Sequence, residues 1–298
     1  MSVASEADFN LVGCISMEIN PSIFGFQWHD SLMPVGPNYT ALERAAFECA
    51  CAGCESIWIT VNDDWAPLIK KRLGSYIYDP VYYTRMHDPE PSSSKKYIPI
   101  FYVPHLAKYR GRRDNMSWGI MNAAIYARKV TKVLSHLAFP DRYYAAFPYS
   151  VTNPRELVKV RKKISSTKPF FTTYNGKTVK DGERLGFTFD WEDLRAINRL
   201  MVSDGTLEHK ALGEFAKDSN DWKQRRVIEE QYSARFFPIE KVFEPMSLDG
   251  AIYHEWKWHH DINSWEGYKN FMGSDDEVIR PQPLDKADIL HPIGVDDE

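Results

Sequence analysis

From residue 11 to residue 164 the chain alternates short apolar runs with helix-forming segments, and this alternation restricts the fold more than any other feature. Leu11 to Met17 reads as a buried strand. Thr40-Ala-Leu-Glu43 is a capping box, in which a threonine side chain and a glutamate three residues on satisfy each other's free backbone N–H groups. It opens a helix whose Leu42, Ala45, Ala46, Cys49 and Ala50 share one face, and Gly53 is placed to end it. Ser56 to Val61 is the next strand, and Trp65 to Leu73 a short helix ending at Gly74. After a polar loop, Asp88 to Lys96, come a strand at Tyr97 to Val103 and a long amphipathic helix from Ser117 to about His136. A strand at Arg142 to Phe147 and a helix near Pro154 to Ile164 follow. Such an order predicts an α/β fold: a mostly parallel central sheet, right-handed crossovers and helices on both faces.

The second half changes character. Phe170 to Tyr174 and Arg184 to Phe189 read as strands around an Asn175-Gly176 turn. Asp190 to Leu200, Leu207 to Phe215 and Asp221 to Ser233 read as helices, Ala251 to Trp258 as a strand, and Ser264 to Met272 as a closing helix. The expectation is one domain over 1–272, with a first half at about 10–150 and a second at about 151–272. An acidic, proline-containing tail, 273–298, would lie extended or against the surface.

Composition narrows the function classes. Apolar residues make up 43% and charged residues 26%, so the chain has the balance of a folded globule. A formal net charge of -4 gives no general attraction to nucleic acid or to an anionic membrane. No apolar run approaches the ~18 residues of a membrane span, and Met1 to Asn10 is polar and acidic, unlike a signal peptide. Cys14, Cys49, Cys51 and Cys54 include one C-x-x-C pair but no second pair at zinc-finger spacing. They are expected to be small buried thiols, which suits a reducing, cytoplasmic location. Gly-x-Ser-x-Gly, Walker and His-Glu-x-x-His motifs are absent from the sequence.

Three segments in order carry a family resemblance. Leu32-Met-Pro-Val-Gly36 with Thr40-Ala-Leu-Glu-Arg44 resembles an "L-L-P-V-G … L-L-E-R" entry to a first helix. Ala52-Gly-Cys-Glu-Ser-Ile-Trp-Ile-Thr-Val61 resembles "A-G-x-x-x-I-x-I-V", and Asp261-Ile-Asn-Ser-Trp-Glu-Gly-Tyr268 resembles "D-I-x-T-x-E-D-Y". Between the last two, Gly186-Phe-Thr-Phe189 ahead of Trp191-Glu-Asp-Leu194 resembles "G-x-Y-x-F … L". Together they resemble the sugar-phosphate nucleotidyltransferases, over roughly Leu11 to Met272. The resemblance implies the Rossmann-like nucleotidyltransferase (GT-A-like) fold and a nucleotide or nucleotide-sugar as ligand. It also implies Mg2+, with Asp261 as a metal ligand. The chain would join a sugar 1-phosphate to a nucleoside triphosphate, releasing pyrophosphate.

Departures from the pattern bear on that chemistry. The family's first loop is glycine-rich and carries an arginine; here Glu18 to Asp30 has one glycine and no Lys or Arg. Asp30 stands where the family has a lysine, and Phe147-Pro-Tyr-Ser150 lacks the carboxylate that the family places at that strand end. Arg110, Arg112 and Arg113, just before the Ser117 helix, are candidates to restore phosphate-binding charge. His259 would face the same side as Asp261 on an extended backbone. Two functions follow: a divergent nucleotidyltransferase, or a scaffold of that fold that has lost catalysis and serves in binding, regulation or assembly. Neither reading excludes a homo-oligomer.

Overall fold

The computed structural model describes residues 9–17, 24–81, 97–105, 115–134, 139–212 and 237–281. Its strands are β1 (Leu11–Ser16), β2 (Pro34–Gly36), β3 (Tyr39–Thr40), β4 (Ser56–Val61), β5 (Tyr76–Tyr78) and β6 (Tyr97–Pro104). Then come β7 (Arg142–Ala146), β8 (Ser150–Val151), β9 (Phe170–Thr173), β10 (Phe187–Phe189), β11 (Ile252–Glu255) and β12 (His260–Asp261). The helices are α1 (Ala41–Ala52), α2 (Ala66–Leu73), α3 (Met116–Leu134), α4 (Leu157–Ile164), α5 (Trp191–Leu212), α6 (Ile239–Phe243) and α7 (Trp265–Met272).

Eight strands form one sheet in the order β11-β9-β10-β7-β1-β4-β6-β5. The four strands expected from the first half, β7, β1, β4 and β6, lie side by side and run parallel. β10 joins antiparallel to β7, and β11 pairs parallel with β9, so both halves of the chain build the same sheet. β1 is buried at all six positions, as a strand covered on both faces must be.

Chain order sets which face each helix covers. The crossover from β1 through α1 to β4 moves one way along the sheet; the crossover from β6 through α3 to β7 moves the other way. Right-handedness of both puts α1 and α3 on opposite faces. Residues of β1 record this, since successive side chains alternate faces. Gly13 lies against Cys49 of α1, and Ser16, three residues on, lies against Gly119 of α3. The contact at Gly119 is too close for any side chain: an added Cβ would stand 1.8 Å from Ser16 Oγ. Gly119→Ala is therefore expected to push α3 off the sheet and lose about 1–3 kcal/mol of stability. Ser16→Gly in the same chain should recover part of it, and urea denaturation of the three variants checks both.

α1 behaves as its sequence predicts at both ends. Thr40 Oγ1 accepts from Glu43 N–H and Glu43 Oε2 accepts from Thr40 N–H, completing the capping box. At the other end Gly53 adopts φ 103°, its N–H donating to Ala50 O and Cys54 N–H to Cys49 O. This is the Schellman closure, and Cys49 with Cys54 supplies the apolar contact that goes with it. All four thiols are free and buried, as expected. Less expected, every residue of α1 is buried, including Glu43, Arg44 and Glu48.

Other expectations need correction. The segments read as two helices, Asp190 to Leu200 and Leu207 to Phe215, form one helix, α5, at least as far as Leu212. Asn175-Gly176 does make a tight turn, with positive φ at both residues, but it closes a small loop between Tyr174 and Lys177. β9 and β10 pair beyond it, across a longer connection. The Ala251 to Trp258 strand is shorter, Ile252–Glu255. The helix expected at Asp221 to Ser233 and most of the tail lie outside the described residues. No helix among the described residues is long and apolar enough to cross a membrane.

Candidate functional site

In an open parallel sheet, ligands bind outside the carboxyl ends of the strands where the crossovers diverge. Here that point falls between β1 and β7. What gathers there follows from strand pairing. Beyond β7 the chain turns through Phe147–Tyr149 into β8, and β12 pairs antiparallel with β8, setting Asp261 opposite Ser150. Ile262 N–H donates to Tyr149 O at 2.9 Å and fixes the register. β10 runs antiparallel to β7, so the residues just before β10 also reach the carboxyl end of β7. That brings in Arg184.

Arg184 Nη1 donates to Asp261 Oδ2 at 2.7 Å, with side-chain exposures of 19% and 34%. Asp261 Oδ1 accepts from Asn263 N–H at 3.0 Å. Both carboxylate oxygens are thus engaged by the protein itself. Arg184 Nε is buried and has no hydrogen-bond partner.

Arg44 is fully buried in the first turn of α1. Its Nη1 donates to Glu48 Oε2 at 2.6 Å and to Thr152 Oγ1 at 3.1 Å; its Nη2 donates to Phe147 O at 2.7 Å. Glu48 Oε1 accepts from Tyr144 Oη at 2.7 Å; burial, and then the Glu48 carboxylate, hold the Tyr144 hydroxyl well above its usual pKa. This network ties α1 to the end of β7 and to the corner that leads into β8.

His259 stands edge-on to Tyr174, and its Nε2 is buried without a partner. Burial, with smaller contributions from Arg44, His260 and Arg184, lowers its pKa to about 4, so it is neutral at pH 7. Arg184 is thus among the charges that act on this imidazole. His260 is engaged elsewhere: Nε2 lies 2.8 Å from Asp276 Oδ2.

The described part of the first loop, from Phe24 onward, packs aromatic rings onto α7. Phe24 meets Trp265 edge-on at 5.0 Å between ring centres, and Phe26 stacks on Trp28 at 4.6 Å. Trp28 and Trp265 remain 46% and 44% exposed. α7 begins four residues after Asp261, so these rings border the Asp261 segment.

A divalent cation of the Mg2+ type takes about six oxygen ligands, usually with more than one carboxylate or a substrate phosphate among them. Asp261 brings one carboxylate, with Oδ2 against a guanidinium and Oδ1 against a backbone N–H, and no group of three His, Cys, Asp or Glu side chains suited to a metal occurs among the described residues. Arg110, Arg112 and Arg113 lie outside the described residues, as does Glu18. Arg184 and the buried role of Arg44 went unrecognised in the sequence; Arg44 was visible there only as the last letter of a family-like segment.

No family model and no curated protein matches the chain. Solved structures of sugar-phosphate nucleotidyltransferases are similar to it at low identity. A Bacillus anthracis protein assigned as a glucose-1-phosphate thymidylyltransferase, in complex with a sucrose, is 10% identical with a TM-score of 0.49, covering 90% of this chain and 96% of that one. The UDP-glucose pyrophosphorylase of Acinetobacter baumannii is 10% identical with a TM-score of 0.46, covering 88% of this chain and 91% of that one. Rv0371c of Mycobacterium tuberculosis, in complex with manganese, is 11% identical with a TM-score of 0.42, covering 89% and 99%. Likenesses at this level say nothing about which side chains do chemistry.

Proposed function

We propose that the chain is a nucleotidyltransferase-like scaffold that binds a nucleotide-sugar at the carboxyl ends of β1 and β7 without transferring the nucleotidyl group. One observation carries the second half of this reading. The carboxylate that the family resemblance makes a metal ligand is paired with Arg184 and accepts from Asn263 N–H. Attack on an α-phosphate places growing negative charge on the leaving pyrophosphate, and removing one fixed electrostatic contact to such charge costs on the order of 2.7–4 kcal/mol of barrier. The strand-end segment Phe147 to Ser150 supplies no second carboxylate, and the loop from Glu18 to Asp30 supplies no Lys or Arg.

The first half rests on the position of the crossover point, the order of the family-like segments along it, and an arginine partly exposed there. A coupled pyrophosphate assay with common sugar phosphates, each nucleoside triphosphate and Mg2+ or Mn2+ is expected to stay at background. Turnover that disappears in Asp261→Ala would establish an enzyme instead. Thermal shift against nucleotide-sugars is expected to raise the melting temperature, because a ligand that binds only the native state must do so.

A further inference from the structure

We infer that Arg184, rather than a divalent ion, supplies the positive charge that meets a ligand's phosphate at this site. The inference rests on the nucleotide-sugar reading and names the residue that would receive the diphosphate. Arg184 is placed for it by β10, whose antiparallel pairing with β7 carries the preceding residues to the strand ends. Its side chain is not sealed in, and neither is that of Asp261.

The bonding of Arg184 is incomplete in a way that favours an anion. A guanidinium carries five N–H donors in a planar fork that matches two oxygens of a phosphate. Of these, Nη1 is used by Asp261 and Nε is buried with no acceptor. A buried donor left unmet is unfavourable, so a small rotation that trades one carboxylate bond for two phosphate bonds improves the account of this side chain. Arg44 cannot take the same role, since Glu48, Thr152 and Phe147 O already hold its two terminal nitrogens.

Asp261 then acts as a competitor and a positioning residue. Its Oδ1 is anchored by Asn263 N–H, so the carboxylate holds Arg184 in place while the site is empty and must share it when an anion arrives. The consequence is opposite to that of a metal site. For a metal ligand, neutralising Asp261 would abolish phosphate binding. Here Asp261→Asn keeps the acceptor for Asn263 N–H, removes the competing charge and leaves Arg184 free for the ligand.

The test measures UDP-glucose and inorganic pyrophosphate binding by calorimetry on the full chain, in EDTA and then with Mg2+ or Mn2+. UDP-glucose affinity is expected to be the same within about twofold in either buffer. Arg184→Gln should weaken it at least about tenfold, the loss typical of a hydrogen bond to a charged group. Arg184→Lys should restore part of the loss by returning the charge, which also guards against a folding defect in the glutamine variant. Asp261→Asn should tighten binding of both probes several-fold. Binding that appears only with metal, or that is lost in Asp261→Asn, overturns the inference and leaves the scaffold standing. Failure of UDP-glucose and a wider set of nucleotide-sugars to bind, with metal and without, overturns both.

Discussion

Arg44→Met is expected to destabilise the protein by about 3–5 kcal/mol, because it leaves Glu48 as an uncompensated buried charge. The arginine has no exposed surface, and Glu48 lies 2.6 Å away at one helical turn, itself only 3% exposed at the side chain. Two further acceptors, Thr152 Oγ1 and Phe147 O, lose their donor at the same time. A buried ion pair is not in itself strong evidence of stability, since desolvating both ions offsets much of their attraction. Removing one partner is a different matter, because the desolvation of the other remains. Arg44→Met with Glu48→Gln should therefore be more stable than Arg44→Met alone. Glutamine can still accept from Tyr144 Oη and carries no charge. Denaturation in guanidinium chloride gives the stabilities. A single variant within about 1 kcal/mol of wild type would show that the network is not as closed as its geometry. Hydrogen exchange adds a local readout: Phe147 O is one of the carbonyls released, so protection should fall first in the corner from Phe147 to Thr152 that supports Asp261.

The same residue shows where the sequence stopped being informative. Leu42, Ala45, Ala46, Cys49 and Ala50 mark one apolar face, and periodicity alone predicts a helix covered on that face only. The structure covers the other side as well, with α4 and the turn before it packed against α1. Nothing local to α1 announces that Arg44 will be buried; its acceptors at 147 and 152 are about a hundred residues away. The four parallel strands were legible because fully buried strands read as continuous apolar runs bounded by turn residues. β2, β3, β5, β8 and β12 were not, since two or three residues carry no period. That mattered for function: β8 and β12 are the strands that bring Asp261 to the end of β7. Asp261 itself was found through its family-like segment. Arg184, which engages Asp261 across 77 positions of sequence, reads only as the first residue of the Arg184 to Phe189 strand, which in the structure starts at Phe187. Its role exists only once β10 has paired with β7. The sequence reads as two helices, one ending at Leu200 and one starting at Leu207; Gly205 falls between them, and the helix continues through it.

Lowering the pH from 7 to 4 is expected to remove about 3 kcal/mol of stability through His259 alone. In the folded protein its pKa is about 4, against an ordinary value of 6.5. Burial is the main cause, since a charged imidazolium would lose its hydration; Arg44, His260 and Arg184 add repulsion to the same end. The sign follows from proton counts. Above pH 6.5 both folded and unfolded His259 are neutral, and stability does not depend on it. Between 6.5 and 4 the unfolded chain binds the proton and the folded chain does not, so each fall in pH favours unfolding. Below about 4 both forms are protonated and the loss is complete. Carboxylates titrate over part of this range as well, so the measurement must be a difference. His259→Gln keeps a polar side chain at the position and removes the titration. Urea midpoints of wild type and variant at pH 7, 5.5 and 4.5 should diverge as the pH falls, the wild type losing more. His254 is also shifted downward, mainly by burial, but it is present in both chains and its effect cancels. Parallel pH profiles would mean that His259 is protonated as readily in the folded protein as in the unfolded chain. The neutral imidazole would then have to be given up.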